Sequence, residues 1–177
     1  MRWWRNLRAR MKGRVRPAYW RLVEPYFDRV SVYDGPEVFL RDLAPVPAPA
    51  RNLLAAHWAQ SEIHNGGLAQ FFFNRTGVLA PEAIVGFESI GMIEAANILR
   101  EALRVFPEPY PRRWEERRQL FDLPDDPDAR VVFMQFADLT SGAFEQLNER
   151  FWRLMRDESK GFLVCADRYA SGASRGA

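Results

Sequence analysis

Glu62, Asn65, Gln70 and Asn74 stand at fixed spacing around the pair Gly66-Gly67 and the aromatic block Phe71-Phe72-Phe73. A carboxylate and three carboxamides set among phenylalanines must be hydrogen-bonded, because an unpartnered polar group away from water is costly. Two kinds of chemistry fit that set. It can brace a tight helical corner. It can also form a small polar recognition pocket, in which Glu62 is the one acid placed to act as a general base. Asn-Gly-Gly supplies a chain reversal: Gly adopts positive φ without a Cβ penalty, and Asn65 tolerates that conformation or caps the next helix. Glu62 precedes the break by one turn, where its carboxylate can accept from the free N–H groups opening the following helix. Gln70 and Asn74 are four apart and share one face of that helix, with Leu68, Phe71 and Phe72 turned to the core. The brace is the reading these residues favour, and the pocket is its alternative.

Other reactive side chains are sparse. His57 and His64 are seven apart, so they share a helix face but lie about 10.5 Å apart along the axis. That is too far for two ligands of one metal. Cys165, the only cysteine, sits in an apolar stretch and reads as a small buried hydrophobe. No nucleophile triad, Gly-rich phosphate loop or His-Glu-x-x-His pattern is present. Glu115, Glu116, Asp122, Asp125, Asp126 and Asp128 form an acidic cluster. It lacks the alternating oxygen ligands and distal Glu of a calcium loop. The expectation is no catalytic residue, no metal, no cofactor and no enzymatic activity.

The net charge of +2 conceals an uneven distribution. Residues 1–21 carry eight basic side chains and no acid, leaving 17 basic and 23 acidic ones in the rest of the chain. Arg2, Trp3, Trp4, Arg5 and Arg8 give residues 1–16 the interleaved pattern of an arm that touches an anionic membrane or nucleic acid. A short basic arm alone binds such surfaces weakly. The favoured reading is therefore that it packs on its own domain or on a partner subunit. A single cysteine suits a reducing compartment. No apolar run approaches a membrane span and no signal peptide is visible, so the expected location is cytoplasmic.

The elements that must position these residues are helices. At 177 residues the chain is long enough for one domain with a real core. Pro17 opens a helix that ends near Asp34-Gly35, and Pro36 starts a short one through Leu43. Ala44 to Ala50, with alternate prolines, reads as an extended connector inside one domain. A helix from about Ala50 to His64 breaks at Gly66-Gly67, and Leu68 to Arg75 continues it. Pro81 to Phe106 is helical with a break at Gly91, and Met92, Ala95, Ala96, Leu99, Leu103 and Phe106 form a 3.6-residue stripe. Arg112 to Asp122 is a charged helix, and Pro124 to Asp128 is an acidic loop. Val131 to Leu139 fits strand or helix, with Val132, Phe136 and Leu139 at helical spacing. Phe144, Leu147, Phe151 and Leu154 make an amphipathic helix. Phe162, Cys165, Ala166 and Tyr169 outline the last one, and Ser171 to Ala177 reads as a frayed tail. The class is all-α: a compact multi-helix single domain over 17–170, with a basic N-terminal helix or arm over 1–16.

The pattern Glu62-x-x-Asn65-Gly66-Gly67-x-x-Gln70-x-x-x-Asn74-x-x-Gly77 resembles the signature of a bacterial all-helical family named after a DNA-mimic protein. Ser89 to Arg100 resembles the family's next helical element, Phe106-Pro107 its end, and Phe144 to Leu154 a later helix. The likeness covers about residues 50–170. It implies an all-helical fold, dimers among members, and no catalysis where a role is assigned. It also raises mimicry, in which carboxylates spaced like phosphates occupy a DNA-binding protein's site. This chain departs from that pattern, because Arg112, Arg113, Arg117 and Arg118 lie beside the acidic cluster. The leading expectation is a protein-interaction module, acting as a homodimer or with a protein partner. Nucleic acid and membrane are not the expected partners. The alternatives are a small-molecule binder or unusual enzyme using Glu62, Asn65, Gln70 and Asn74, and a DNA-mimic inhibitor.

Overall fold

Proline and glycine divide the chain into helices. In the computed structural model, which describes residues 16–123, 128–157 and 159–173, α1 spans Ala18–Phe27 and α2 spans Pro36–Leu43. The long α3 covers Ala48–Phe73, a 3₁₀ turn follows at Arg75–Leu79, and α4 spans Ala80–Ser89. Then come α5 at Ile93–Leu103, α6 at Trp114–Gln119, α7 at Ala129–Met155 and α8 at Phe162–Ala173. No strand occurs among the described residues, and the fold is all-α. Residues 1–15, including Arg2, Trp3, Trp4, Arg5 and Arg8 of the basic arm, lie outside the described residues.

Several boundaries differ from those the sequence suggests, for identifiable reasons. Helix α1 ends at Phe27 because the Tyr26 carbonyl takes the N–H groups of both Arg29 and Val30 in a turn. That turn lets Val30 and Val32 bury themselves against the core. The proline-rich connector is a short turn, with the Val46 N–H donating to the Leu43 carbonyl and Val46 buried. Helix α3 already starts at Ala48, since Pro49 falls in the first turn, where a missing N–H costs nothing. Val131 to Leu139 is helical and continuous with the next segment, so α7 is a single 27-residue helix. Its Asp128 N-cap accepts from the Arg130 N–H. Val132 and Phe136 are buried there, whereas Leu139 is exposed. Helix α6 is shorter than the charge pattern suggests, and α8 runs on through Ser171 to Ala173.

Helix α3 is the axis of the molecule, packed against α1, α4, α7 and α8. It meets α4 closely at Gly86, where a Cβ would collide with the Asn52 carbonyl. One apolar core runs from Tyr19 to Ala170, so the residues before the connector share it with the rest. Cys165 lies within that core, its thiol against the Lys160 carbonyl, and burial raises its pKa. Among the described residues no helix is long and apolar enough to cross a membrane.

The two histidines of α3 have opposite fates. His64 is exposed. His57 is buried among Tyr19, Trp20, Phe27 and Phe162, with the Tyr19 hydroxyl 3.1 Å from its Nδ1. Burial disfavours the imidazolium and lowers the pKa from 6.5 to about 4. The unfolded chain therefore takes up this proton first as pH falls. The His57 contribution to stability is complete above pH 6.5 and is lost progressively towards pH 4. Urea midpoints measured across that window should fall with acidity, and the fall should be shallower in His57→Phe.

Candidate functional site

The signature residues meet at the break in α3. Gly66 adopts φ −152° and ψ 23°, and Gly67 adopts φ 76° and ψ −177°. The two halves of the helix are thereby reoriented, and the N–H groups opening the second half need acceptors. Glu62 is 8% exposed, but it does not supply that cap. Its Oε2 accepts instead from Gln70 Nε2 at 3.3 Å and Asn74 Nδ2 at 2.9 Å. The acid one turn before the break is thus tied to two amides beyond it. The opening N–H, that of Leu68, donates to Asn148 Oδ1 of α7 at 2.8 Å. Trp152, one turn further along α7, donates its indole N–H to the Ile63 carbonyl at 3.0 Å. Asn65 is exposed on the outside of the corner, apart from the Glu62, Gln70 and Asn74 cluster.

Replacing Glu62 by Ala would leave two half-buried amides without their acceptor. We expect Glu62→Ala to lose about 1–3 kcal/mol. Glu62→Gln should lose less, because its carbonyl oxygen still accepts. Chemical denaturation of both variants with an unchanged slope checks the order.

The other end of the corner is closed by side chains for which the sequence suggests no such role. The last carbonyls of α3 have no partner within the helix. Arg117 Nε donates to the Phe72 carbonyl at 2.9 Å and its second terminal nitrogen donates to Asn74 at 2.8 Å. Trp114 Nε1 donates to the Phe73 carbonyl at 2.7 Å. The Tyr110 hydroxyl donates to Gly77 and Arg112 to Val78, both at 2.9 Å. Residues 110–117 therefore form a clip over five consecutive or near-consecutive carbonyls. Arg117 is 1% exposed, and its remaining bonds go to the Arg112 and Pro111 carbonyls. Burial lowers its pKa from the usual guanidinium value, but a cation at a helix C-terminus sits at the negative end of the dipole. The position had a readable signal. Arg117 is three residues after Trp114 and four before Phe121, on the inward face of α6, although a charge there reads by default as solvated.

On its outer side the clip forms one wall of an open cleft of about 250 Å³. The opposite wall is Val32–Pro36, and Arg75 and Val78 lie between. The Arg75 guanidinium stacks 5.0 Å from the Trp114 ring, donates to the Tyr33 carbonyl at 3.0 Å, and reaches Glu115 at 3.8 Å. Arg113 pairs with Glu37 directly and with Glu116 at 3.9 Å. Arg112 is held by both oxygens of Glu82 at 2.8 Å. Glu62, Gln70 and Asn74 do not line this cleft. Of the acidic cluster, Glu115 and Glu116 face arginines and Asp128 caps α7. Asp125 and Asp126 lie outside the described residues. Among the described residues no three His, Cys, Asp or Glu side chains group as a metal site.

The family model for the DMP19-like proteins matches residues 44–170, which contain the corner, the clip and α7. The chain belongs to that family. The family match begins at the connector before α3 and ends within α8, so α1 and α2 lie on its N-terminal side. No curated protein and no solved structure matches the chain.

Proposed function

We propose that this protein is a non-enzymatic partner-binding module whose signature residues serve the fold and whose recognition surface is the cleft at the clip. The observation that carries this reading is the inward engagement of Glu62. Its carboxylate is taken up by Gln70 and Asn74, which supports a brace rather than a general base. The cleft, by contrast, presents Arg, Trp and Tyr, the residue types that dominate binding energy at protein interfaces. Tyr33 is 38% exposed, and the Arg75 and Arg113 side chains are 46% and 50% exposed. Membership of the DMP19-like family is in keeping with a protein-interaction role.

DNA mimicry is the second reading, and family membership is what favours it. Against it, several surface carboxylates are neutralised in place. Arg150 bridges Glu94 at 2.5 Å and Glu101 at 3.0 Å, and Arg112 holds Glu82. A phosphate mimic needs such charges unpaired.

Arg113→Glu tests the proposal, since the pairs of Arg113 with Glu37 and Glu116 are exposed and contribute little to stability. Wild-type protein immobilised in a lysate of its native host should retain a discrete protein that the variant does not. Equal retention by the variant, with an unchanged melting temperature, places recognition elsewhere and sinks the cleft.

A further inference from the structure

Arg16, the first described residue, sets a direction for the chain before it. It precedes Pro17, the N-cap of α1, yet its guanidinium reaches Glu24, two turns into that helix, at 2.5 and 2.6 Å. Its side chain thus lies along the flank of α1 and points to the helix C-terminus. Asp28, the C-cap, stands one turn beyond Glu24 on the same face. The last turn of α1 carries no basic residue, although that end of a helix favours cations. Residues 1–15 bring six basic side chains and no acid, with Trp3 and Trp4 near their far end. At the end of α1 lies an aromatic group: Phe27 stacks on Trp58 at 5.0 Å, and Tyr33 meets that indole edge-on at 6.2 Å. Phe27 is half-buried and Tyr33 is 38% exposed, so both present ring surface to a further aromatic side chain.

We infer that the basic arm, residues 1–15 of the same chain, docks antiparallel along α1, steered by the Arg16–Glu24 pair, and seats Trp3 and Trp4 on Phe27 and Tyr33. Length agrees with this. Trp4 stands twelve residues before Arg16, about 18 Å at helical rise, against about 15 Å for the ten residues of α1. A chain folded back from Arg16 therefore brings both tryptophans to the end of α1, where the rings lie. Charge agrees as well. Between Ala18 and Gly35 the acids Glu24, Asp28 and Asp34 outnumber Arg21 and Arg29, and the six cations of the arm restore the balance. Val131, Met134 and Leu139 of α7 offer a competing apolar surface, but the bonds of Arg16 lead to α1. Tyr33 is also part of the cleft wall, so the seated arm stands at the rim of the cleft. The docking itself does not depend on what the cleft binds.

The test is nuclear magnetic resonance of the isotope-labelled full chain, reading contacts between the Trp3 and Trp4 indoles and the rings of Phe27 and Tyr33. Such contacts are expected within one molecule. In an equal mixture of labelled and unlabelled chains, isotope filtering should show none between molecules. Glu24→Arg reverses the charge that steers the arm and should weaken the contacts at least about twofold. Arg16→Glu added to it re-forms the pair with its charges exchanged and should restore them. The Arg16 and Glu24 side chains are 48% and 34% exposed, so both variants should melt like wild type. Contacts between molecules assign the arm to a second copy and overturn the inference. Indole contacts with the Met134 methyl group instead, or with neither Phe27 nor Tyr33, overturn it too. So do contacts of equal strength in wild type and Glu24→Arg, because the pair would then give the arm no direction.

Discussion

Arg117→Met is expected to destabilise the protein by about 3–5 kcal/mol, although it removes a charge from the core. Burying a guanidinium is costly in itself, and a methionine of similar reach would relieve that cost. The relief is outweighed by what the arginine leaves behind. Its hydrogen bonds satisfy the Phe72, Arg112 and Pro111 carbonyls and add a second donor at the Asn74 carbonyl, which also takes the Gly77 N–H. Each buried acceptor left without a donor costs about 1–3 kcal/mol, and Met offers no donor. Arg117→Lys should recover only part of the loss, because one ammonium cannot reproduce the fork that spans the end of α3 and the residues before α6. Urea denaturation of the three proteins measures the order directly. Near-equal midpoints for wild type and Arg117→Met would show that water replaces the clip.

A second large effect is expected at Gly67, and a smaller one at its neighbour. Gly67 combines φ 76° with ψ −177°, a region that residues with a Cβ occupy only under strain of about 1–3 kcal/mol. An added Cβ would also stand 3.0 Å from Asn148 Nδ2. Pushing Asn148 away releases the Leu68 N–H at the start of the second half-helix, at a cost of about 1–3 kcal/mol. Gly67→Ala should therefore lose about 3–5 kcal/mol. Gly66 has negative φ, so that strain is absent; its added Cβ would push the Gln70 amide away from Glu62 and crowd the Gln70 Cβ at 2.9 Å, which only a small backbone shift relieves. Gly66→Ala should lose no more than about 2 kcal/mol, within the range of ordinary single substitutions. Equal losses at the two positions would mean that the corner has no preferred seat for Gly67.

The helical class and the break in α3 were legible because periodic apolar residues and a Gly pair are local signals. The stripe from Met92 to Phe106 and the series Phe144, Leu147 and Phe151 reappear as buried faces of α5 and α7. The partners of the corner were not legible, because they are remote in sequence. Leu68 is capped from 80 residues away and Ile63 from 89. The role expected of Glu62, capping the second half-helix, passed to Asn148, and Glu62 turned to the amides of Gln70 and Asn74. Asn65 fell on the exposed side, since the two glycines alone supply the reversal. Arg117 was hidden by its type: within a run of charges, nothing local distinguishes the one that turns inward. The cleft escaped notice because its walls come from three separated segments, each unremarkable alone.

The separation of the corner's partners along the chain also sets an order of assembly. During synthesis the two halves of α3 emerge first, with the carbonyls at residues 72–74 and the N–H of Leu68 still unmet. The clip arrives about forty residues later and can close the carbonyl end. Asn148 and Trp152 follow last, so the amide end stays open until α7 has emerged. Long-range contacts of this kind slow folding, because loop closure comes before they repay it. A nascent chain halted before residue 148 would thus hold a half-sealed corner. In the finished protein, the hydrogen-exchange rate of the Leu68 amide becomes a timer for each excursion of α7 away from the fold.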